Sequence, residues 1–455
     1  VKFDDFPMNA TERRATAGLA AIFSVRMLGL FLILPVFALY ADHLPGRTPF
    51  LVGLAIGIYG LTQALLQIPF GMASDRFGRK PVIVSGLIIF AIGSVVAANA
   101  TTLEGVIVGR ALQGAGAIAA AIIALLADLT RENQRTKAMA IIGMSIGMSF
   151  LLALVLGPIL YGVIGMPGIF WLTGGLALLA VAGVVLLVPT PVRHVPRSAP
   201  WQDLWHMARQ PRLLFLDGGV FVLHAVLTAS FVVVPTMLSV KVGLAAKDHW
   251  MMYLPVLLLS LFILVPLLFL AERRHQLQRV FPGAILLLAI AHVVIFVGQS
   301  NIIGLGIGMV LFFGAFNALE ALMPSLVSRF APSGNKGAAV GVYNTAQFTG
   351  VFAGGALGGI LVGEFGAIGT IMLSVGALVL WLLVALNVKI DDRTEMRTVR
   401  VEVADDKEAR QMAARLGAVP GVLEAVVVRE ERIAYLKVDR ERLDQGALNH
   451  LAETL

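Results

Sequence analysis

Five ionisable residues stand inside long apolar runs: Arg26, Arg110, His224, His292 and Glu320. Such groups are expensive in apolar surroundings, so each needs a partner or a task. A carboxyl group can take up and release a proton, and Glu320 reads either as a proton carrier or as the fixed partner of a buried arginine. His224 and His292 read as groups that hydrogen-bond between helices. Uncharged polar residues recur beside them at helical spacing: Tyr59, Gln63 and Gln67; Asn317 with Glu320; Asn344 with Gln347. Residues three or four apart share a helix face. Any one of them could bond a neighbouring helix; together with His224 they could line a polar central cavity.

A second concentration of charge is the stretch GMASDRFGRK, Gly71 to Lys80, in a short gap between two apolar runs. Gly71, Gly78 and Pro81 punctuate a tight turn. Arg76 and Lys80 are what a solvated basic loop needs, but Asp75 contributes nothing to a basic loop. A carboxylate there calls for a specific partner such as a helix N-terminus, worth up to about 2 kcal/mol in favourable geometry.

The elements that must position these residues follow from composition. The chain is 58% hydrophobic and 14% charged, with mean hydropathy +0.86, far from a soluble balance. Twelve apolar runs of spanning length lie near 14–40, 50–73, 82–100, 103–127, 137–163, 168–188, 212–240, 248–271, 280–298, 302–328, 337–363 and 366–388. With the N-terminus inside, the inner segments hold eighteen Lys and Arg and the outer loops only Arg47, Lys241 and Lys247. That asymmetry orients the protein with both termini cytoplasmic. The net charge of +7 is thus a topology signal directed at anionic lipid headgroups, with no case for nucleic acid. No removable signal peptide is expected, because the first run has no small-residue cleavage site after it. Cysteine is absent, which excludes disulfides and thiolate metal sites.

Residues 189–211 form a proline-rich linker with an amphipathic WQDLWHMARQ patch, and it divides the chain into six-helix halves at 1–188 and 212–390. The halves echo each other, MASDR (72–76) in LAERR (270–274) and RTKAMAIIGMSIG (135–147) in NKGAAVGVYNTAQFTG (335–350). Gly341, Gly350, Gly354 and Gly358 read as sites of close helix packing. Beyond the last run, residues 391–455 carry 14 of the 28 acidic and 11 of the 35 basic residues. This soluble part, 394–455, alternates in RTVRVEV with Val399, Val401 and Val403 on one face. A helix follows, opened by Asp405 and Glu408 and carrying Ala409, Met412, Ala413 and Leu416. VLEAVVVR and RIAYLKV then read as a hairpin across Glu430 and Glu431, before a helix with Leu448, Leu451 and Leu455. The order β-α-β-β-α resembles a ferredoxin-like fold without its last strand. The expected architecture is an all-α membrane protein of twelve transmembrane helices in two pseudo-symmetric halves, with a small α+β domain appended.

The loop G-x-x-x-D-R-x-G-R-K between spans two and three resembles the signature loop of the major facilitator superfamily. VGRALQGAGA (108–117) resembles that family's R-x-x-Q-G motif, with Arg110 as its arginine. GPILYG (157–162) resembles the Gly-Pro element of the drug–proton antiporter branch, though without the double Gly that follows it there. The appended domain, SVRMLG in span one and AFNALEALMPSL in span ten are similar to the YajR-like bacterial transporters. The resemblance implies a conformational latch in the outward-facing state: Asp75 capping span eleven near Gly337 and Ala338, and Arg79 pairing with Asp128. It also implies that Arg110 supports the proton site, where Arg26 joins Glu320 as a candidate.

The resulting expectation is a multi-pass bacterial inner-membrane protein, not an enzyme, that exports small amphiphilic or drug-like molecules against a proton flux. With no phosphate-cradling loop, energy must come from a gradient. A receptor that keeps the transporter shell and signals through residues 391–455 is the alternative. No cofactor or metal is expected, since His450 is the soluble domain's only histidine. The partners are a small-molecule substrate, protons and membrane lipids, with a regulator or a second copy for the soluble domain.

Overall fold

The computed structural model describes residues 8–190, 201–273, 276–332, 335–390, 394–429, 433–439 and 441–453. Spans one to four are Ala10–Phe31, Pro49–Phe77, Arg79–Ala98 and the pair Leu103–Ala115 with Ala119–Leu129. Spans five and six are a single helix, Glu132–Leu186, broken at Gly165. Spans seven to twelve are Pro211–Thr236, Trp250–Leu268, Leu277–Gly298, Ile302–Phe330, Lys336–Phe365 and Ala367–Asn387. The linker supplies the helix Trp201–Arg209, and its residues 191–200 lie outside the described residues, as do Arg274, Glu430, Glu431 and Leu455.

Local chemistry fixes the helix starts. Span one opens with a capping box: the Asn9 side chain accepts from the Glu12 amide at 2.8 Å, and Glu12 accepts from the Asn9 amide at 2.9 Å. Thr48 caps span two ahead of Pro49, and Thr102 caps span four. Gly78 alone separates spans two and three, at φ 96°, a conformation that a side chain would strain. Two expected continuous spans are interrupted. Span one ends at Phe31 and resumes as Phe37–Ala41 around Pro35, because proline cannot extend a helix in its interior without freeing a carbonyl. Span four breaks at Gly116–Ile118, where the freed Gly116 carbonyl accepts a bond from Arg26 at 2.9 Å.

Spans two and eleven carry most of the contact between the halves. Their far ends, the ends remote from the Gly78 turn and the linker helix, meet backbone to backbone. A Cβ on Gly53 would stand 2.1 Å from the Gly355 carbonyl oxygen, and one on Gly359 2.5 Å from that of Pro49. Nearer mid-membrane Tyr59 meets Phe348 at 6.4 Å, and Phe150 of span five meets Phe313 and Phe316 of span ten at 6.2 and 6.3 Å. At the near end the halves part. Gly337, at the start of span eleven, has nothing within 4 Å of its would-be Cβ, and Gly71 meets only Ala120 of its own half. The protein is closed at the far end and open at the near end. Gly350 and Gly354 pack against the Phe221 and Ala225 carbonyls of span seven, but Gly341 does not serve packing: it lies in open space apart from Leu204 of the linker helix at 3.9 Å.

The C-terminal residues form a three-stranded antiparallel sheet, β1 Thr394–Arg400, β2 Val422–Val428 and β3 Ile433–Asp439, in the order β1-β3-β2. Val399, Val401, Met412, Leu416 and Leu448 share its core. Asp405 caps the helix Asp406–Gly417, while Glu408 reaches back to the Ala404 amide, one residue before the cap.

Candidate functional site

Three polar constellations stand in this frame. The first is at the near end of spans two to four. Arg79 bonds Asp128 at 3.1 Å through Nε, Asp75 at 2.5 Å and the Ser74 hydroxyl at 2.7 Å. The one-residue turn at Gly78 places Asp75 and Arg79 within reach, and span four delivers Asp128 to the other side of the guanidinium. All three side chains are at most 9% exposed, so the cluster is held with little help from water. Asp75 does not cap span eleven in this conformation: among the described residues that helix start has no side-chain cap, and the near ends of the halves are apart. Arg76 is exposed against Phe77. Lys80 is not a solvated loop cation, since its ammonium donates to the Val188 carbonyl at 2.5 Å. Arg14 donates to Leu187 nearby, and the buried Glu12 accepts from the Arg131 amide and guanidinium at 2.8–2.9 Å. That carboxylate raises the pKa of Arg131. These ties join spans one, three, four and six into one near-end plate.

The second constellation is a pair of buried guanidiniums in the first half. Arg110 donates to the Ala55 and Ile56 carbonyls at 3.3 and 3.4 Å and to Gln113 at 3.0 Å, and Gln113 bonds Ser94. Arg26 bonds Gln63 and the Gly116 carbonyl, while its Nε and Nη1 lack hydrogen-bond partners. Both lie over the Tyr59 ring, at 5.7 and 5.2 Å. Among the described residues no carboxylate pairs with either. A desolvated cation–π contact is worth about 2 kcal/mol and a bond from a charged donor about 1.5–3 kcal/mol, so Arg110 is the better compensated. Tyr59, Gln63 and Gln67 are buried. They do not line an open cavity as expected, because the guanidiniums take the Tyr59 ring face and the Gln63 oxygen, and the Gln63 amide in turn donates to the Gln67 oxygen at 3.2 Å.

The third constellation is in the second half. The Gln347 amide donates to Glu320 at 3.4 Å and to His224 Nε2 at 2.7 Å. His224 Nδ1 lies 3.2 Å from the Val220 carbonyl, an arrangement that suits a proton on Nδ1. The second Glu320 oxygen lies 3.7 Å from His224 Nε2. The Glu320 side chain is 36% exposed, while its Oε2 is buried without a hydrogen-bond partner. Phe316 closes over the His224 ring at 5.8 Å. Asn317 and Asn344 are half-buried nearby in sequence and make no hydrogen bond among the described residues. His292 lies apart, bonded to Ser230 between helices.

Glu320, then, does not partner a buried arginine; the structure separates the guanidiniums from the carboxylate. The profile of the Major Facilitator Superfamily matches residues 19–354. The chain belongs to that superfamily. A second profile, the YajR YAM domain, matches residues 399–444, so this is a superfamily transporter with a C-terminal YAM domain. It is 43% identical over 440 residues to the inner membrane transport protein YajR of Escherichia coli, covering 96% of each chain. It is 25% identical over 338 residues to the multidrug resistance protein MdtH of Photorhabdus laumondii, covering 73% of this chain and 82% of that one. In fold it is similar to a bacterial homologue of the human lysosomal transporter Spinster in an inward-facing, occupied conformation. The TM-score is 0.70 at 15% identity, covering 84% of this chain and 96% of that one.

Sequence reasoning missed Ser74, Gln113, Glu12, Asp217 and Tyr343. Ser74 and Gln113 sit inside the two quoted motifs, where small or neutral polar residues draw less attention than charges. Asp217 is a lone acid seven residues into span seven, a signal as plain as Glu320.

Proposed function

We propose that this transporter couples the export of small amphiphilic or drug-like molecules to proton entry, cycling between near-end-open and far-end-open states. The observation that carries the reading is Glu320: a carboxyl within span ten, its side chain 36% exposed and bonded through Gln347 to His224. It can take or give a proton, and each change alters what Gln347 must bond. The basic side chains of the near-end loops support a cytoplasmic near end, so the described state is inward-facing. A carboxyl loaded from the outside and emptied here would draw about 2.3 kcal/mol per 100 mV from the membrane potential. The aromatic residues Phe31, Phe150, Phe312 and Phe316 around the cluster suit an amphiphilic cargo, as does the likeness to a relative named for multidrug resistance.

In this reading Asp75, Arg79 and Asp128 form the latch. Here Arg79 holds both acids within the first half. When the near ends close, the Asp75 carboxylate meets the amide-rich start of span eleven and locks the outward-facing state. Arg110 and Arg26 keep the first half positive beside the proton path. The YAM domain's strand order supports the ferredoxin-like reading, with a regulator or a second copy as its partner.

The test is Glu320→Gln in proteoliposomes loaded with a pH-sensitive dye. Adding an amphiphilic dye that the protein binds should still give binding but no substrate-driven pH change. Wild-type proton flux in that variant would remove Glu320 from the mechanism.

A further inference from the structure

Asp217 of span seven is 6% exposed and, among the described residues, makes no hydrogen bond or ion pair. It lies about 9 Å along the helix from Pro211, at the open end of the protein. The basic side chains nearest in sequence are occupied elsewhere: Arg209 stacks on Trp205 at 4.5 Å and Arg212 on Phe330 at 5.6 Å. Carboxylates are retained inside membranes where they pair or where they move protons, and Asp217 does not pair.

Its surroundings lead to Glu320. His224 follows seven residues later, two turns on, and so lies on the same face of span seven. Span eleven packs against that face and contributes Tyr343, whose hydroxyl is buried without a hydrogen-bond partner. Tyr343 stands one turn before Gln347 on span eleven and so shares its face toward span seven. Gln347 itself is bonded to His224 and Glu320. Span twelve presents the uncharged Trp381, packed on Gly219, and the linker helix adds Asp203 and His206 near the aqueous edge.

We propose that Asp217 is a second proton-carrying carboxyl of the transport path, the port through which protons pass between the open end and Glu320, with the Tyr343 hydroxyl as relay. The proposal rests on the reading of Glu320 as the proton carrier. A hydroxyl both donates and accepts, so the transfer balances without any co-reactant. When the two carboxyls come within hydrogen-bond reach of the hydroxyl, which neither does in this state, the Glu320 carboxyl gives its proton to the Tyr343 oxygen as the Tyr343 O–H bond yields its own to the Asp217 carboxylate. The hydroxyl is regenerated, Glu320 is left ionised, and Asp217 holds the proton until water takes it.

The full-length protein in phosphatidylethanolamine–phosphatidylglycerol vesicles, followed by infrared difference spectroscopy after a pH jump, tests this without a substrate. The wild type should show two carboxylic-acid carbonyl bands that titrate. Glu320→Gln should lose one and Asp217→Asn the other, with Asp217→Glu restoring a band. In Asp217→Asn and Tyr343→Phe the Glu320 band should respond roughly tenfold or more slowly, as removal of a positioned proton-transfer group predicts. An Asp217→Asn spectrum identical to wild type would overturn the proposal, and so would an undelayed Glu320 response. A wild-type spectrum in Glu320→Gln would instead remove the proton carrier itself, and the port would lose its destination.

Discussion

Replacing Gly53 by Ala probes the closed far end directly. The added Cβ would stand 2.1 Å from the Gly355 carbonyl oxygen and 2.8–2.9 Å from Gly359 Cα and N. All three are backbone atoms, so no rotamer change relieves the clash and spans two and eleven must separate by roughly 1 Å to restore ordinary contact. That retreat also loosens the neighbouring contacts of Gly57 and Gly60 with the Phe352 and Phe348 carbonyls. Overpacking of this kind costs about 1–3 kcal/mol, and it is paid only in the far-end-closed state. The conformational equilibrium should therefore move about 5–150-fold toward far-end-open forms. The chain has no cysteine, so spin labels can be placed at will: Arg47 with Glu364 across the far end, Phe77 with Ser328 across the near end. Gly53→Ala should lengthen the first distance and shorten the second. Gly283→Ala, where a Cβ meets nothing within 4 Å, should leave both unchanged. Wild-type distributions for Gly53→Ala at both ends would refute the claim that backbone contact between these spans holds the far end shut.

Two further outcomes are expected. Either Arg79→Asp or Asp128→Arg alone breaks a nearly dry pair, a loss of about 3–5 kcal/mol, and the exchanged double variant should recover part of the lost transport. Recovery stays partial because Asp75 then faces an acid at position 79; strictly additive losses in the double-mutant cycle would mean that the charges serve topology alone. Deleting residues 394–455 should leave a folded, inserted membrane part, since the described domain has its own apolar core; aggregation in detergent would show the domain to be integral.

The apolar runs made the spans legible, because length and hydropathy are local properties. The interruptions were less so. Pro35 signals a break, but the opening at Gly116 depends on a carbonyl demanded by Arg26 from another helix, and no local signal reports that. The polar faces of spans two, ten and eleven were visible as periodicities. Which of them stays exposed depended on tertiary context: Gln63 is taken up by the Arg26 guanidinium and Gln67 by Gln63, whereas the Glu320 side chain is 36% exposed. The pairing of Arg79 with Asp128, 49 residues away, came through family resemblance; spacing alone offers no such partner.

The polar constellations are joined by covalent adjacency. Gln347, which holds His224 and Glu320, precedes Phe348, whose carbonyl lies against Gly60 and whose ring meets Tyr59. Tyr59 in turn lies beneath the guanidiniums of Arg26 and Arg110. A proton arriving at Glu320 or His224 changes which groups can accept from the Gln347 amide. If Gln347 moves, Phe348 moves with it, because a helix transmits displacement rigidly over one residue. The contact thus disturbed is one of those that join the halves at mid-membrane, with far-end closure on one side of it and the Asp75–Arg79–Asp128 cluster on the other. Spans two and eleven each run about 29–30 residues, roughly 44 Å, and a stiff pair pivoting near Tyr59 and Phe348 cannot close both ends at once. In the proposed cycle, proton occupancy at Glu320 and backbone contact at the ends are therefore parts of one equilibrium, and a change in either should appear as a change in the other.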